Sequence, residues 1–447
     1  MKTTIQEKVI QLQPTLIRAI QQQVAIPSVI GEAKEGAPFG QAIAQSLETM
    51  LNLCESLGFT VKNGEGYYGY AEIGEGSETL GILGHLDVVP VGDLANWHHD
   101  PFDCQINDGK LIGRGTQDDK GPTLAALYAV KALIDSGVTF NKKIRFIFGT
   151  DEETLWRDMA KYRENGETIP DFGFTPDSKF PMINAEKGLL QAVLKTTNPA
   201  PVKLIAGNAF NSVPDQAEYT GEKQAEVKTA LSKHNFQFKE TATSVLVLGT
   251  GIHSQAADRG ENAISRLAIS LHEVGLHCEA IDFIAEVIGE DANANQIIAN
   301  CEDEVSGKLT VNIGKVRLDE TGQEIALDIR IPVSYEKATI VEPLQAIAQK
   351  YALSYEEFDW LAAIHVPTDH FLVKTLRDVY ETETGLDSTP ESSGGATFAR
   401  ALDNCVAFGM VFPDSVKTEH QPNEYITLAD LEKATQIYAQ AIYQLVK

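Results

Sequence analysis

Residues 79–84, Thr-Leu-Gly-Ile-Leu-Gly, form an apolar run that stops abruptly at the polar residues His85 and Asp87. A buried strand whose C-terminal end opens into a site has this form. The same grammar recurs downstream. A helix expected over about 123–136 leads to a strand over 142–149, which ends on Asp151-Glu152-Glu153, and Phe172-Gly-Phe-Thr-Pro-Asp177 repeats the move. Strands that alternate with helices predict an α/β layer with a mainly parallel sheet. Upstream, Ile5, Val9, Leu12, Leu16, Ile17, Ile20 and Val24 recur at three- and four-residue steps and mark an amphipathic helix. A second helix is expected around 42–57, then a short strand over 59–62.

After Glu186-Lys-Gly the character changes. Strand-like segments over 189–195, 244–250, 308–316 and 324–332 are separated by helical stretches, which predicts an α+β insert. The expected organisation is a catalytic domain formed by residues 1–186 and 368–447, interrupted by a second domain over 187–367.

Composition narrows the function. Asp and Glu total 63 against 37 Lys and Arg, a net charge of -26, which repels phosphate backbones and anionic lipids and argues against nucleic-acid and membrane partners. The five cysteines (Cys54, Cys104, Cys278, Cys301, Cys405) are scattered and never paired as CxxC, so neither a disulfide framework nor a thiolate zinc site is indicated. None stands beside a His in a motif, which argues against a thiol hydrolase. The N-terminus carries Gln and Glu where a secretory signal needs an apolar stretch, and no run of about 18 apolar residues occurs. A soluble, cytoplasmic protein is expected.

Five positions carry metal chemistry: His85, Asp118, Glu153, Asp177 and His420. Two imidazoles and three carboxylates suit zinc, cobalt or manganese. Two ions about 3.5–4 Å apart need one bridging carboxylate and about two further protein ligands each. Five residues with one shared meet that count. The HxD spacing places Asp87 to accept the far ring N–H of His85, and adjacent Glu152 and Glu153 divide the work of proton transfer and metal binding. A competing reading makes those two glutamates an acidic helix N-terminus. His98, His99, His234, His272, His277, His365 and His370 have no ligand spacing and read as structural or solvent-facing.

The blocks GHLDVVPVGD, WHHDPF, GRGTQDDKGP, GTDEETLW, PDSKFPMINAEKG and EHQPNEY, in that order over about 81–425, resemble the aminoacylase and carboxypeptidase G superfamily of dinuclear metallopeptidases, and within it dipeptidases of the PepV and Xaa-His type. The resemblance implies that Asp118 bridges the ions, with a cis peptide to Asp119, and that Glu152 is the general base. It implies His85, Glu153, Asp177 and His420 as the other ligands and the insert as a lid. In the lid, His253 of GIHSQAADRGENA would stabilise the oxyanion, and Arg330 of LDIRIP would hold the substrate carboxylate. Asn211 would add a polar contact. Gly394 and Gly395 of SSGGATFAR match a loop whose N–H groups face the same carboxylate, with Ala396 replacing a common glycine. The bland alternatives are a strand-surface ion pair for Arg330 and a tight turn for the glycines.

The activity so implied is hydrolysis of dipeptides with free termini by a monomer holding two divalent ions, zinc foremost, with manganese or cobalt as alternatives. An N-acyl-amino-acid deacylase or carboxypeptidase of the same fold would keep every metal ligand. A non-catalytic metal-binding protein would have no use for Glu152.

Overall fold

The computed structural model describes residues 2–447. The chain divides into two compact units. The first runs through Asn184 and resumes over Val366–Glu391 and Thr397–Lys447; the second comprises Ala185–His365 and Ser392–Ala396.

In the first unit the strand order is Thr60–Asn63, Gly69–Ile73, Lys143–Gly149, Thr79–His85, Phe172–Thr175, Cys405–Ala407. The two strands at one edge are antiparallel, and the four that follow run parallel. Every residue of Thr79–His85 is buried, as a strand covered on both faces must be. The helices Lys2–Val24, Lys120–Asp135 and Leu428–Val446 pack against one another. The apolar residues predicted for the first helix face the core: Ile5, Val9, Leu16, Ile20 and Val24 are buried.

The helix expected from Thr123 begins earlier, at Lys120. Lys120 is buried, and its ammonium donates to the carbonyls of Gln23 (2.8 Å) and Ile26 (2.9 Å). A cation thereby meets the end of the N-terminal helix, where unsatisfied carbonyls collect. Burial pushes its pKa down to about 7. Gly84 lets the first turn of this helix lie against the strand Thr79–His85, since a Cβ there would overlap Thr123 Oγ1 and lie 2.8 Å from Asp119 Oδ2. Glu152 and Glu153 do not open a helix. They lie in a turn, and the helix Arg157–Glu164 starts only after Trp156, which has φ 55°.

The second unit is built on a five-stranded antiparallel sheet ordered Leu204–Ala206, Thr310–Asp319, Gly322–Ile331, Gly188–Thr196, Ser354–Leu361. Helices Ala263–Glu273 and Lys337–Lys350 contribute buried Leu267, Leu271, Ile340 and Leu344 to its own core. Segment 392–396 joins this unit because Ser393 accepts from the N–H of Lys187 (2.9 Å) and Gly394 from Arg330 (2.7 Å). No helix among the described residues is long and apolar enough to cross a membrane.

In the first unit the Phe174 ring stacks on Tyr438 and meets Phe408 edge-on. Truncating a buried aromatic leaves a cavity. Phe174→Ala should lower the stability of the first unit by about 3–5 kcal/mol, read from urea unfolding followed by a probe in that unit.

Candidate metal centre

The site grows from the ends of the parallel strands. His85 closes its strand, and its backbone N–H donates to Asp119 Oδ2 at 3.0 Å. Its ring Nδ1 lies 3.0 Å from the backbone oxygen of Asp87, which fixes the tautomer and leaves Nε2 bare to face the site. Nε2 stands 3.0 Å from Asp118 Oδ1 and 3.8 Å from Asp177 Oδ2.

The use of Asp87 therefore differs from the expected carboxylate–imidazole contact. Its carboxylate is 3.6 Å from Nδ1 and instead accepts the backbone N–H groups of Glu152 (3.3 Å) and Glu153 (3.0 Å). The chain leaves the sheet at His85, so the two-residue alternation that would align the side chains at 85 and 87 no longer applies. Asp87 thus ties the histidine, through its carbonyl, to the glutamate turn, through its carboxylate.

On the other side, His420, held at φ 61°, points Nε2 at Asp118 Oδ2 (3.0 Å) and at Glu153 Oε2 (3.1 Å). Asp118 therefore gives one oxygen to each imidazole. Two overlapping groups of donors result, His85 with Asp118 and Glu153, and His85 with Glu152 and Asp177, each with its donor atoms within 4.8 Å of one another. The peptide between Asp118 and Asp119 is cis.

The electrostatics show what the cluster lacks. Burial, with Asp118 adding to it, pushes the carboxyl of Asp177 well above the usual range, and burial does the same to Glu152. Glu153 is raised by burial and by Asp118. Asp118 goes the other way: against the effect of burial, hydrogen bonds from His420 and His85 hold it below the carboxylate range. The hydrogen bonds to Asp118 and Glu153 raise His420 to about 11. Among the described residues, ion pairs to Asp118, Glu153 and Asp177 come only from imidazoles. Four half-buried carboxylates with only two histidines between them form a donor set that divalent cations neutralise, so the residues fit such ions.

Two residues outside the expected set hold this geometry. Glu424 Oε1 accepts the N–H groups of Gly115 (3.0 Å), Gln117 (2.8 Å) and Asp118 (3.1 Å), while Oε2 pairs with Arg114 at 2.6 Å. Gln117 answers across the same gap. Its Oε1 accepts from Thr418 N (2.6 Å) and Glu419 N (3.0 Å), and its Nε2 donates to the carbonyls of Val416 and Tyr425, both at 3.1 Å. The loop bearing Asp118 and the loop bearing His420 are thus clasped by each other's neighbours. Their only sequence signal was their place inside GRGTQDDKGP and EHQPNEY.

Trp156 adds a further hold, its indole N–H donating to the carbonyl of Glu152 at 2.8 Å.

His253, Asn211, Arg330, Gly394 and Gly395 all lie in the second unit. The Asn211 carbonyl accepts from Ser254 N at 3.0 Å, which sets Asn211 beside the His253 turn. Arg330 is not a strand-surface ion pair, being 2% exposed. Its guanidinium forks onto Asp328 (2.6 and 2.9 Å), donates to Gly394 O (2.7 Å) and reaches Ser254 Oγ (3.1 Å). Gly394 is pressed against Gln255, whose Cβ would lie 2.7 Å from an added Cβ. The Gly395 N–H donates to Ser393 Oγ at 2.9 Å.

Comparison with known proteins bears on this site. The model of peptidase family M20/M25/M40 matches residues 81–444. A Bacillus subtilis protein named "Putative dipeptidase YtjP" is 39% identical over 98% of this chain and 99% of its own. Among solved structures, an M20 family metallo-carboxypeptidase from Sulfolobus solfataricus aligns with a TM-score of 0.61 at 18% identity, covering 96% of this chain and 98% of that one. Human carnosine dipeptidase 1 aligns with a TM-score of 0.60 at 16% identity, covering 99% and 98%. At those identities the two structures share the fold.

The clasp makes a direct prediction. Glu424→Ala leaves Arg114 buried without its carboxylate and three backbone donors without an acceptor, which should cost about 3–5 kcal/mol in denaturant unfolding. The surviving folded fraction should also retain less divalent metal after dialysis than the parent protein.

Proposed function

Because this chain belongs to peptidase family M20/M25/M40, we propose that it is a dipeptidase in which Asp118, shared between His85 and Asp177 on one side and His420 and Glu153 on the other, would hold two divalent ions with them. One observation carries the assignment: Asp118 turns Oδ1 to His85 and Oδ2 to His420, each at 3.0 Å. When bound, such ions supply the Lewis acidity that makes a water acidic and polarises the scissile carbonyl.

The remaining work falls to the chain. Glu152, not needed to complete either side, takes the proton of the attacking water and passes it to the leaving amine. Asp87 holds its backbone N–H, and the Trp156 indole holds its carbonyl, so the carboxylate is aimed by its own peptide groups. The second unit serves as the lid. There His253 steadies the oxyanion, and Arg330, with Asn211 and the Gly394–Gly395 turn, receives the substrate's C-terminal carboxylate. Four of the five Arg330 N–H donors are engaged within the unit. The fifth is the one we assign to the substrate. Free dipeptides as the substrate class are supported by the name of the Bacillus subtilis relative, which spans nearly all of both chains.

The donor set accepts zinc, manganese or cobalt, with zinc our first assignment. None of the five buried cysteines is in a disulfide, and burial raises Cys278 and Cys301 to about 11, which suits a reducing cytoplasm. The long second unit leads us to a monomer.

Unblocked dipeptides should be turned over and their N-acetylated counterparts should not; the reverse preference would make the enzyme a deacylase. Chelation should abolish turnover and added zinc, manganese or cobalt restore it. Glu152→Gln should lower kcat by about 10²–10⁴-fold while metal content, measured by atomic spectrometry, stays unchanged.

A further inference from the structure

Away from the carboxylate centre, three histidine ring nitrogens in the second unit converge on carboxylates. His272 lies in the last turn of the helix Ala263–Glu273, His277 in the connection after it, and Asp282 in the short helix Glu279–Phe283. The sequence gives these residues no helical or strand repeat. The chain reverses at Gly275, whose φ of 75° favours glycine, and this turn brings them together. His272 Nδ1 and His277 Nδ1 each stand 2.8 Å from the same oxygen, Asp282 Oδ1. The two rings are perpendicular, with centroids 4.7 Å apart. The three donor atoms fall within 4.8 Å of one another.

A supporting layer stands behind them. His272 Nε2 faces Glu286 Oε1 at 3.5 Å, and Glu286 Oε2 accepts from the Tyr351 hydroxyl at 2.7 Å. His272 is therefore bracketed by two carboxylates, while a neutral imidazole carries only one proton. A cation at the focus of the two Nδ1 atoms and Oδ1 resolves the conflict, because it frees the ring proton for Nε2 and Glu286. A carboxylate behind a ligating histidine is the usual support of a metal site.

We propose that His272 Nδ1, His277 Nδ1 and Asp282 bind one late first-row divalent transition-metal ion, separate from the centre in the first unit. Two imidazoles with one carboxylate select zinc, nickel, cobalt or copper over magnesium or calcium, which want oxygen donors. Zinc–ligand bonds of about 2.0–2.2 Å at tetrahedral angles set donors roughly 3.4 Å apart. The 2.8 Å contacts need only open slightly, and the His277 side chain, 53% exposed, is free to turn. The ion would pin the end of the helix Ala263–Glu273 to Glu279–Phe283, both of which place apolar residues in the core of the second unit. A ligand bound only by the folded form adds to stability. This inference does not depend on the peptidase reading.

The test is zinc titration of the metal-stripped full-length protein, with bound ions per chain measured by equilibrium dialysis and atomic spectrometry. His277→Ala should bind one ion fewer than the parent, whatever number the first unit holds, and should lose part of the zinc-induced rise in melting temperature. Glu286→Gln, which removes no ligand, should keep that ion with about 10–100-fold weaker affinity. It carries the test alone if His277→Ala fails to fold. Equal stoichiometry, affinity and melting shift in the parent and both variants would overturn the proposal and leave the cluster as a hydrogen-bonded surface group.

Discussion

The site depends on a charge conflict that the fold creates and cannot resolve with its own residues. Parallel strands and their loops deliver Asp118, Glu152, Glu153 and Asp177 to one buried place, and only His85 and His420 come with them. Taking carboxylates out of water is costly unless positive charge meets them. The unmet demand is what makes this a place for cations. The division of Asp118, one oxygen toward each histidine, gives that place two sides.

Holding such a cluster open requires support that is not itself titrating against the ions. The clasp formed by Glu424 and Gln117 supplies it through backbone groups. Seven backbone donors and acceptors on two loops distant in sequence are satisfied by two side chains. The loops cannot drift apart without leaving buried polar groups unpaired. Lys120 does similar work one turn away, anchoring the start of its helix to the end of the N-terminal one.

Much of this was legible in the sequence, for a physical reason. A strand buried on both faces must be apolar throughout, so a polar residue at its end stands out, and His85 and Asp177 announced themselves in this way. The family blocks then fixed Asp118, Glu153 and His420. What escaped depends on how the backbone turns after a strand or helix ends. Asp87 offers its carbonyl rather than its carboxylate to His85 because the chain has left the sheet. Glu424 and Gln117 act across a gap that no spacing encodes. His272 and His277 read as unremarkable because the turn at Gly275, not any periodicity, aims them both at Asp282.

The most direct measurement is anomalous diffraction from crystals of the full-length protein grown with zinc. The account predicts two peaks in the first unit, about 3.5–4 Å apart, on either side of Asp118, with one of its oxygens toward each. A single peak, or two with Asp118 contacting neither or only one, would contradict it.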